Sequence, residues 1–353
     1  MPDQNQSGAG RAQSPRLAIV GAGTLKGKEL KEALEERNWA PGEIRLMDDD
    51  ESLGQLDAIG DEPTFIQPVT PDLLEAADIV FFASDAGFVK QHWKQAKDAG
   101  CSVVDLSYAL EEVTGVPVRS PWLDHELRPG EAAVDLKTSA VIAAHPVAVM
   151  LGLLLTRAGK AARVLNVAAT IYEPASEEGK KGMDELHQQT LNLLSFQPLP
   201  KEIFDAQVAF NLSSQHGPEA KSSLEATAWR VARHLREITR GRVTTPALQM
   251  VQAATFHGYA VSIMLEVDTA GMAEVVAAAL KGEHVIVTGD DEERPSNVSA
   301  AGQAEFMVSV RADANRENIV WLWVAADNLK ISAMHAVECA QGLMAARPTG
   351  KIQ

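Results

Sequence analysis

The segment from Leu17 to Trp39, "LAIVGAG" followed by "TLKGKELKEALEERNW", constrains the fold more than any other in the chain. Its apolar opening reads as a strand, Gly21, Gly23 and Gly27 read as a tight turn, and Leu30 and Leu34 recur at helical spacing among charges. Strand, glycine turn and helix in that order open a βαβ unit. There the turn N–H groups and the helix dipole can receive a pyrophosphate. The spacing is G-x-G-x-x-x-G, so the arrangement speaks for the fold before it speaks for binding.

The runs "EIRLMDD", "ADIVFFAS" and "CSVVDLS" supply further strands, with the helical "FVKQHWKQAKDAG" between the last two. Near-continuous apolar strands suit a parallel sheet covered on both faces, so residues 17–147 read as a doubly wound α/β domain. The polar, Gly/Ser-rich residues 1–16 are expected to form a disordered tail. From 148 to 329 the texture changes. A strand, "RVLNVAATIYEP", precedes two long helices, and the alternating runs "QAATFHGYAVSIMLEVD", "HVIVTGD", "EFMVSVRAD" and "IVWLWVAAD" predict a mostly antiparallel or mixed sheet. The intervening "GDDEERPSN" reads as a solvated loop. A chain of 353 residues accommodates these two domains at roughly 150 residues each.

A formal charge of -16 repels phosphate backbones and anionic lipid, which disfavours nucleic acid and membrane surfaces and leaves a small molecule or a protein as partner. Cys101 and Cys339 are too few for a disulfide framework and lack metal-ligand spacing, so no metal and a reducing cytoplasmic setting are expected. No apolar run is long enough to span a bilayer.

The second strand ends in Asp48, Asp49, Asp50 and Glu51. A carboxylate there accepts from ribose hydroxyls and repels a 2′-phosphate, which favours NAD over NADP; a solvated acidic loop is the competing reading. The stretch "VIAAHPVAVMLGLLL", from Val141 to Leu155, has the shape of an active-site loop, a strand stopping at His-Pro and restarting as a helix. It contains no nucleophile.

Near the C-terminus, "NIVWLWVAADNLKISAMHAVECAQ" resembles the closing motif of aspartate-semialdehyde dehydrogenases. The glycine loop, "VVDLS", "QVAFNLSS" and "SAAGQAEFMVSV" follow that family's order, so the resemblance covers nearly everything after Arg16. It implies an α/β fold: a Rossmann-like dinucleotide-binding domain plus an α+β dimerisation domain of semialdehyde dehydrogenase type. The C-terminal helix, 330–346, would return to the first domain. A homodimer would form through the second domain's sheet. Cofactor contacts are expected at Gly21, Gly23, Thr24, Leu25, Gly27, Asp48, Asp49, Ser84 and Asn328.

The family's chemistry needs a cysteine thiolate, a base and anion-binding arginines. Its nucleophile loop reads N-P-N-C-S/T, and Pro146 sets the register, so His145 takes the first Asn and Ala148 the cysteine. An alanine methyl forms no thioacyl intermediate. With Gly258 as anchor in "TFHGYAVS", His257 takes the arginine of the base motif and Tyr259 its histidine. A phenol with an ordinary pKa near 10 is a poor base at neutral pH. The family's D-N-S-S-x-F-R aligns with "DLSYALE", placing Glu111 where an arginine would bind an anion, an inversion of charge. Glu173 takes the family's glutamine, Pro218 the glutamate of E-x-x-K, and Lys221 alone matches its lysine.

The chain therefore resembles the degenerate members of the family, the bacterial USG-1-like proteins. The expected function is a catalytically inactive, dimeric nucleotide- or partner-binding protein. The rival expectation is an NAD(P)-dependent oxidoreductase of altered chemistry acting on an aldehyde, with Tyr259 as acid; a third is a scaffold for another enzyme. His145 reads as a hydrogen-bonded structural residue. Trp321 and Trp323 read as packing at a dimer interface, and His257 and Tyr259, two apart, are expected to point together into the old cleft beside Glu173.

Overall fold

The structure is a computed structural model that describes residues 15–37, 39, 43–49, 52–59, 62–128, 139–289 and 291–345. In chain order the first part runs β1 (Arg16–Val20), α1 (Leu25–Glu36), β2 (Glu43–Asp48), β3 (Leu56–Ile59), β4 (Glu62–Phe65), β5 (Gln67–Pro68), α2 (Pro71–Glu75), β6 (Ile79–Phe82), α3 (Ala86–Asp98), β7 (Ser102–Asp105), β8 (Val118–Arg119), α4 (Pro121–Leu127), β9 (Ala140–Ala143) and α5 (Pro146–Ala161). Strands β5-β2-β1-β6-β7-β9-β8 form one sheet whose neighbours all pair in parallel. Every residue of β6, β7 and β9 is buried, as a sheet covered on both faces requires. Strand order reverses at β1, with β2 on one side and β6 on the other. The crevice at that switch point is where a doubly wound sheet takes its ligand.

The second part runs β10 (Val164–Glu173), a 3₁₀ turn at Ala175–Glu178, α6 (Gly179–Leu194), β11 (Leu212–Ser213), α7 (Leu224–Thr239), β12 (Ala247–Ala253), β13 (Tyr259–Val267), α8 (Ala273–Leu280), β14 (Val285–Val287), β15 (Phe306–Ala312), β16 (Ile319–Ala326) and α9 (Asn328–Ala345). Its sheet, β11-β12-β10-β13-β16-β15-β14, is mixed: β10 with β12 and β14 with β15 are parallel, and the other pairs are antiparallel. Inward residues Val261, Ile263, Leu265, Val320, Leu322 and Val324 are buried. Helix α7 packs on β12, and α8 on β14 and β15.

Helix α5 is apolar on nearly every side and is buried accordingly, packed against α4, α7, α8 and α9. Helix α9 lies against α1, α4, β7 and β9, beside the first sheet. Among the described residues no helix is long and apolar enough to cross a membrane.

Several boundaries differ from the sequence reading. Arg16 belongs to β1 rather than to a tail, because its backbone N–H and guanidinium both bond the Asp78 carboxylate; residues 1–14 lie outside the described residues. Helix α9 begins at Asn328, two residues before the expected 330, and position 346 lies outside the described residues. The loop "GDDEERPSN" is more than a solvated excursion, although Asp290 itself is outside the described residues. Pro295 is buried and its carbonyl accepts from the Trp323 indole at 2.9 Å. The Asn297 amide donates to the carbonyls of His257 and Gly258.

Candidate functional site

At the switch point, the turn after β1 lies against the end of β6. A Cβ on Gly21 would sit 2.4 Å from the Ser84 backbone nitrogen, and φ is +92° there, so only glycine is accommodated. A Cβ on Gly27 would sit 2.1 Å from the Gly21 carbonyl oxygen, which shows how tightly α1 is drawn onto the turn. Thr24 caps α1: its hydroxyl accepts from the Gly27 N–H and donates to the carbonyls of Gly21 and Ala83. Leu25 is the first residue of α1 and is half-buried.

Two of the expected cofactor side chains are otherwise engaged. Asp48 is buried, with one oxygen accepting from the Gly23 N–H at 2.7 Å and the other from the Asp49 N–H at 2.9 Å. It is thus a loop anchor, and burial raises its pKa despite those bonds. Asn328 is fully buried at the head of α9. Its amide accepts from the Gly258 N–H and bonds Ser176 and Glu177, so it joins the second sheet to the turn before α6. Asp49 is half-buried, while Asp50 and Glu51 lie outside the described residues. The Ser84 hydroxyl is buried without a hydrogen-bond partner.

The remaining residues fit a dinucleotide. The start of α1 offers N–H groups and the half-buried Lys26 for phosphate, and Ser84 offers an uncommitted hydroxyl.

Beside this loop, Asp105 ends β7 fully buried. Its carboxylate accepts from the N–H and hydroxyl of Ser107 and from the Leu110 N–H. The tight turn so formed holds Tyr108 at φ +64°, a left-handed conformation that costs a bulky residue energy. The Tyr108 ring is surrounded: His145 stacks at 5.5 Å, His234 meets it edge-on at 5.5 Å, the Lys26 ammonium lies 5.2 Å from its centroid and the Arg230 guanidinium 5.0 Å.

Glu111 completes the group. Its carboxylate lies 2.9 Å from both Arg230 Nε and His234 Nε2. Burial pushes its pKa up, but the bonds to His234 and Arg230 outweigh burial and hold it below the usual carboxylate range. His234 Nδ1 accepts from the His145 backbone N–H at 3.0 Å, so the ring presents an Nε2–H to Glu111. His145 Nδ1 in turn accepts from the Val147 N–H and caps α5. Burial, with the nearby His234, Lys26 and Arg230, holds the His145 pKa well below the ordinary value, so the ring is neutral. Ala148, in the first turn of α5, is fully buried.

Glu111 is thus not an unbalanced inverted charge: α7, which the sequence reads as a helix without a role in the site, brings Arg230 and His234 onto it. Lys26, Tyr108, Glu177, Arg230 and His234 were all passed over. They are scattered along α1, the β7 turn, the 3₁₀ turn and α7, and no local pattern joins them. The one sequence signal was an i, i+4 pair of basic side chains on an otherwise amphipathic helix.

Glu173 ends β10 buried, one carboxylate oxygen lacking a hydrogen-bond partner. Burial, then the neighbouring Glu177 and Glu178, raises its pKa well above the carboxylate range. Tyr259 is fully buried, its ring 6.0 Å from that of His145, and burial together with Glu177 and Glu173 raises its pKa. His257 is half-buried in the bend before β13. Gly258 between it and Tyr259 has φ +80°, which breaks the extended geometry on which the expected alternation rested. Pro218 and Lys221 are exposed. Trp321 and Trp323 share the sheet face opposite the helices, and the Trp321 indole donates to Asp313 at 2.8 Å. Among the described residues no group of three or more His, Cys, Asp or Glu is arranged to hold a metal.

Fold and site together define a dehydrogenase-type protein: a dinucleotide crevice set against a second, mixed-sheet domain, with α5 entering the cleft between them. Residues 16–127 match the semialdehyde dehydrogenase NAD binding domain and residues 155–331 the semialdehyde dehydrogenase dimerisation domain. The chain belongs to the semialdehyde dehydrogenase family. It is similar to a USG-1 protein homolog of Pseudomonas aeruginosa, 30% identical over 92% of this chain and 96% of that one. It is also similar to an aspartate-semialdehyde dehydrogenase of Rickettsia conorii, 25% identical over 93% of this chain and 97% of the other. A solved structure of a probable aspartate-semialdehyde dehydrogenase from Pseudomonas aeruginosa superposes with a TM-score of 0.82 at 27% identity, covering 94% of this chain and 99% of that one.

Proposed function

We propose that this chain is a non-catalytic, homodimeric member of its family that binds a nicotinamide dinucleotide, NAD in preference to NADP, and acts through that ligand or a protein partner. The observation that carries this reading is Ala148, a buried methyl group in the first turn of α5 where the family's alignment calls for a thiolate. The ionisable groups nearby are committed to one another. Glu111 holds Arg230 and His234, His234 holds the His145 backbone, and His145 caps its own helix, so none of these three is left to act as base. Tyr108 stands in the position of the family's second serine, its ring among Lys26, His145, Arg230 and His234, which takes up room in the cleft.

The preference for NAD is supported by the negative charge of Asp48 at the end of β2, which would repel a 2′-phosphate even while its oxygens hold the Gly23 and Asp49 N–H groups. The dimer is supported by the dimerisation-domain match and by an open sheet face on which Trp323 is 39% exposed. The test is phosphate-dependent oxidation of aspartate semialdehyde by the purified chain with each nicotinamide cofactor. No turnover above a no-enzyme control is expected, with or without Ala148→Cys, because Tyr259 still occupies the base position. Clear turnover by the unaltered chain would overturn the reading.

A further inference from the structure

A cavity of about 330 Å³ lies at the far end of α5 from the cleft, between the last turns of that helix, the start of β10 and the segment that joins α7 to β12. Helix α5 enters the cleft at Pro146 and borders the cavity at Gly159, so the two places are roughly 20 Å apart at 1.5 Å per residue. None of the residues placed at the dinucleotide crevice lines this cavity.

Arg163 and Arg242 both line it. Among the described residues neither guanidinium makes an ion pair or a hydrogen bond, whereas the third basic side chain there, Lys160, is held by Glu126. The chain carries 48 Asp and Glu against 32 Lys and Arg, so two arginines in one cavity without a carboxylate are not what its composition supplies by default. The C-terminal ends of α5 and α7 precede the two arginines. A helix end carries about half a negative charge, so the two ends together offset only part of the pair.

Gly159 gives an independent sign that the space is kept open. It is exposed and helical, and a Cβ there would meet nothing within 4 Å, so packing does not demand glycine. Glycine is also a poor helix former, which leaves the open space itself as the feature it provides. Thr156 lies three residues earlier on the same face of α5, and its hydroxyl is buried without a hydrogen-bond partner, a polar group that the protein leaves unsatisfied at the cavity floor. Leu127, Leu155, Val164 and Val243 complete the lining with apolar surface. Free guanidiniums match the oxygens of a phosphate, which carries about -1.5 to -2 charges as a monoester at pH 7. The volume stands at the small end of the range for ligand pockets, about 300 to 1,000 Å³, which suits a compact ligand rather than a dinucleotide.

We propose that this cavity is a second ligand site, distinct from the dinucleotide crevice, which takes a small phosphate monoester. Its phosphate lies between Arg163 and Arg242, and its short carbon chain lies over Gly159 against the apolar lining. Calorimetry on the full chain with n-propyl phosphate and with inorganic phosphate tests this. The ester is expected to bind at millimolar concentration and several-fold more tightly than inorganic phosphate. Arg163→Gln with Arg242→Gln breaks no ion pair and is expected to weaken ester binding at least tenfold, while the charge-keeping pair Arg163→Lys with Arg242→Lys is expected to bind more tightly than the neutral pair. Gly159→Leu puts a side chain into the open space, and it is expected to weaken binding at least tenfold while melting no lower than the unaltered chain. Lys26→Gln, at the crevice, is expected to leave ester binding unchanged. The proposal is overturned if the ester does not bind at millimolar concentration, if the neutral pair or Gly159→Leu binds it undiminished, if Lys26→Gln abolishes binding, or if inorganic phosphate binds as tightly as the ester.

Discussion

His335 permits a quantitative test of the packing between α9 and the first sheet. The residue is 1% exposed, with Nε2 3.0 Å from the Ser120 hydroxyl, Nδ1 unpartnered, and the Trp122 ring edge-on at 5.4 Å. Burial, aided by the nearby His284 and Arg119, lowers its pKa from 6.5 to about 3. The folded chain therefore keeps His335 neutral where the unfolded chain takes up a proton. The stability this group contributes is fully present above the unfolded value of 6.5 and is lost as pH falls toward the folded value of about 3. Between pH 7 and pH 4.5 the loss from this one histidine is about 2.5 kcal/mol. His335→Gln does not titrate. Urea unfolding of both proteins at the two pH values isolates the effect, because the other titrating groups are shared and cancel in the difference. The unaltered chain is expected to lose about 2.5 kcal/mol more than the variant. Equal losses would show that α9 opens enough to hydrate the ring and that the burial argument fails.

Three further outcomes follow from the site and its scaffold. Glu111→Ala leaves the Arg230 and His234 side chains without their carboxylate and is expected to cost about 3 kcal/mol at pH 7 by chemical denaturation. Because the folded Glu111 pKa is depressed, that contribution is present above the unfolded value of 4.5 and is lost as pH falls through the folded value, so the two proteins should converge in acid. Gly27→Ala drives a methyl group to 2.1 Å from the Gly21 carbonyl and must push α1 off the turn; a lower melting temperature and weaker NAD binding by calorimetry are expected, and unchanged values would mean the turn yields freely. Trp321→Arg together with Trp323→Glu places charge on the open sheet face, and light scattering should then give the mass of one chain; a surviving dimer would assign the interface to another surface.

The sequence alone determined the elements whose side chains report their surroundings locally. β1 after Arg16, and the whole of β6, are apolar without alternation because both faces are covered, the glycines at 21 and 27 are needed where backbone meets backbone, and α5 is apolar nearly all round because it is buried on nearly every side. The proposed place of Ala148 at the nucleophile position rests on an equally local feature, Pro146, which sets the register of the loop. What only the tertiary structure decided is where the charges meet. Glu111 reads as an isolated inversion until α7, more than a hundred residues later, brings Arg230 and His234 onto it, and Asp48 reads as a ribose acceptor until its carboxylate is found holding the Gly23 N–H. Hydrophobic burial recurs at the period of the element that makes it, whereas electrostatic pairing depends on distances of a few ångströms between segments that are remote along the chain.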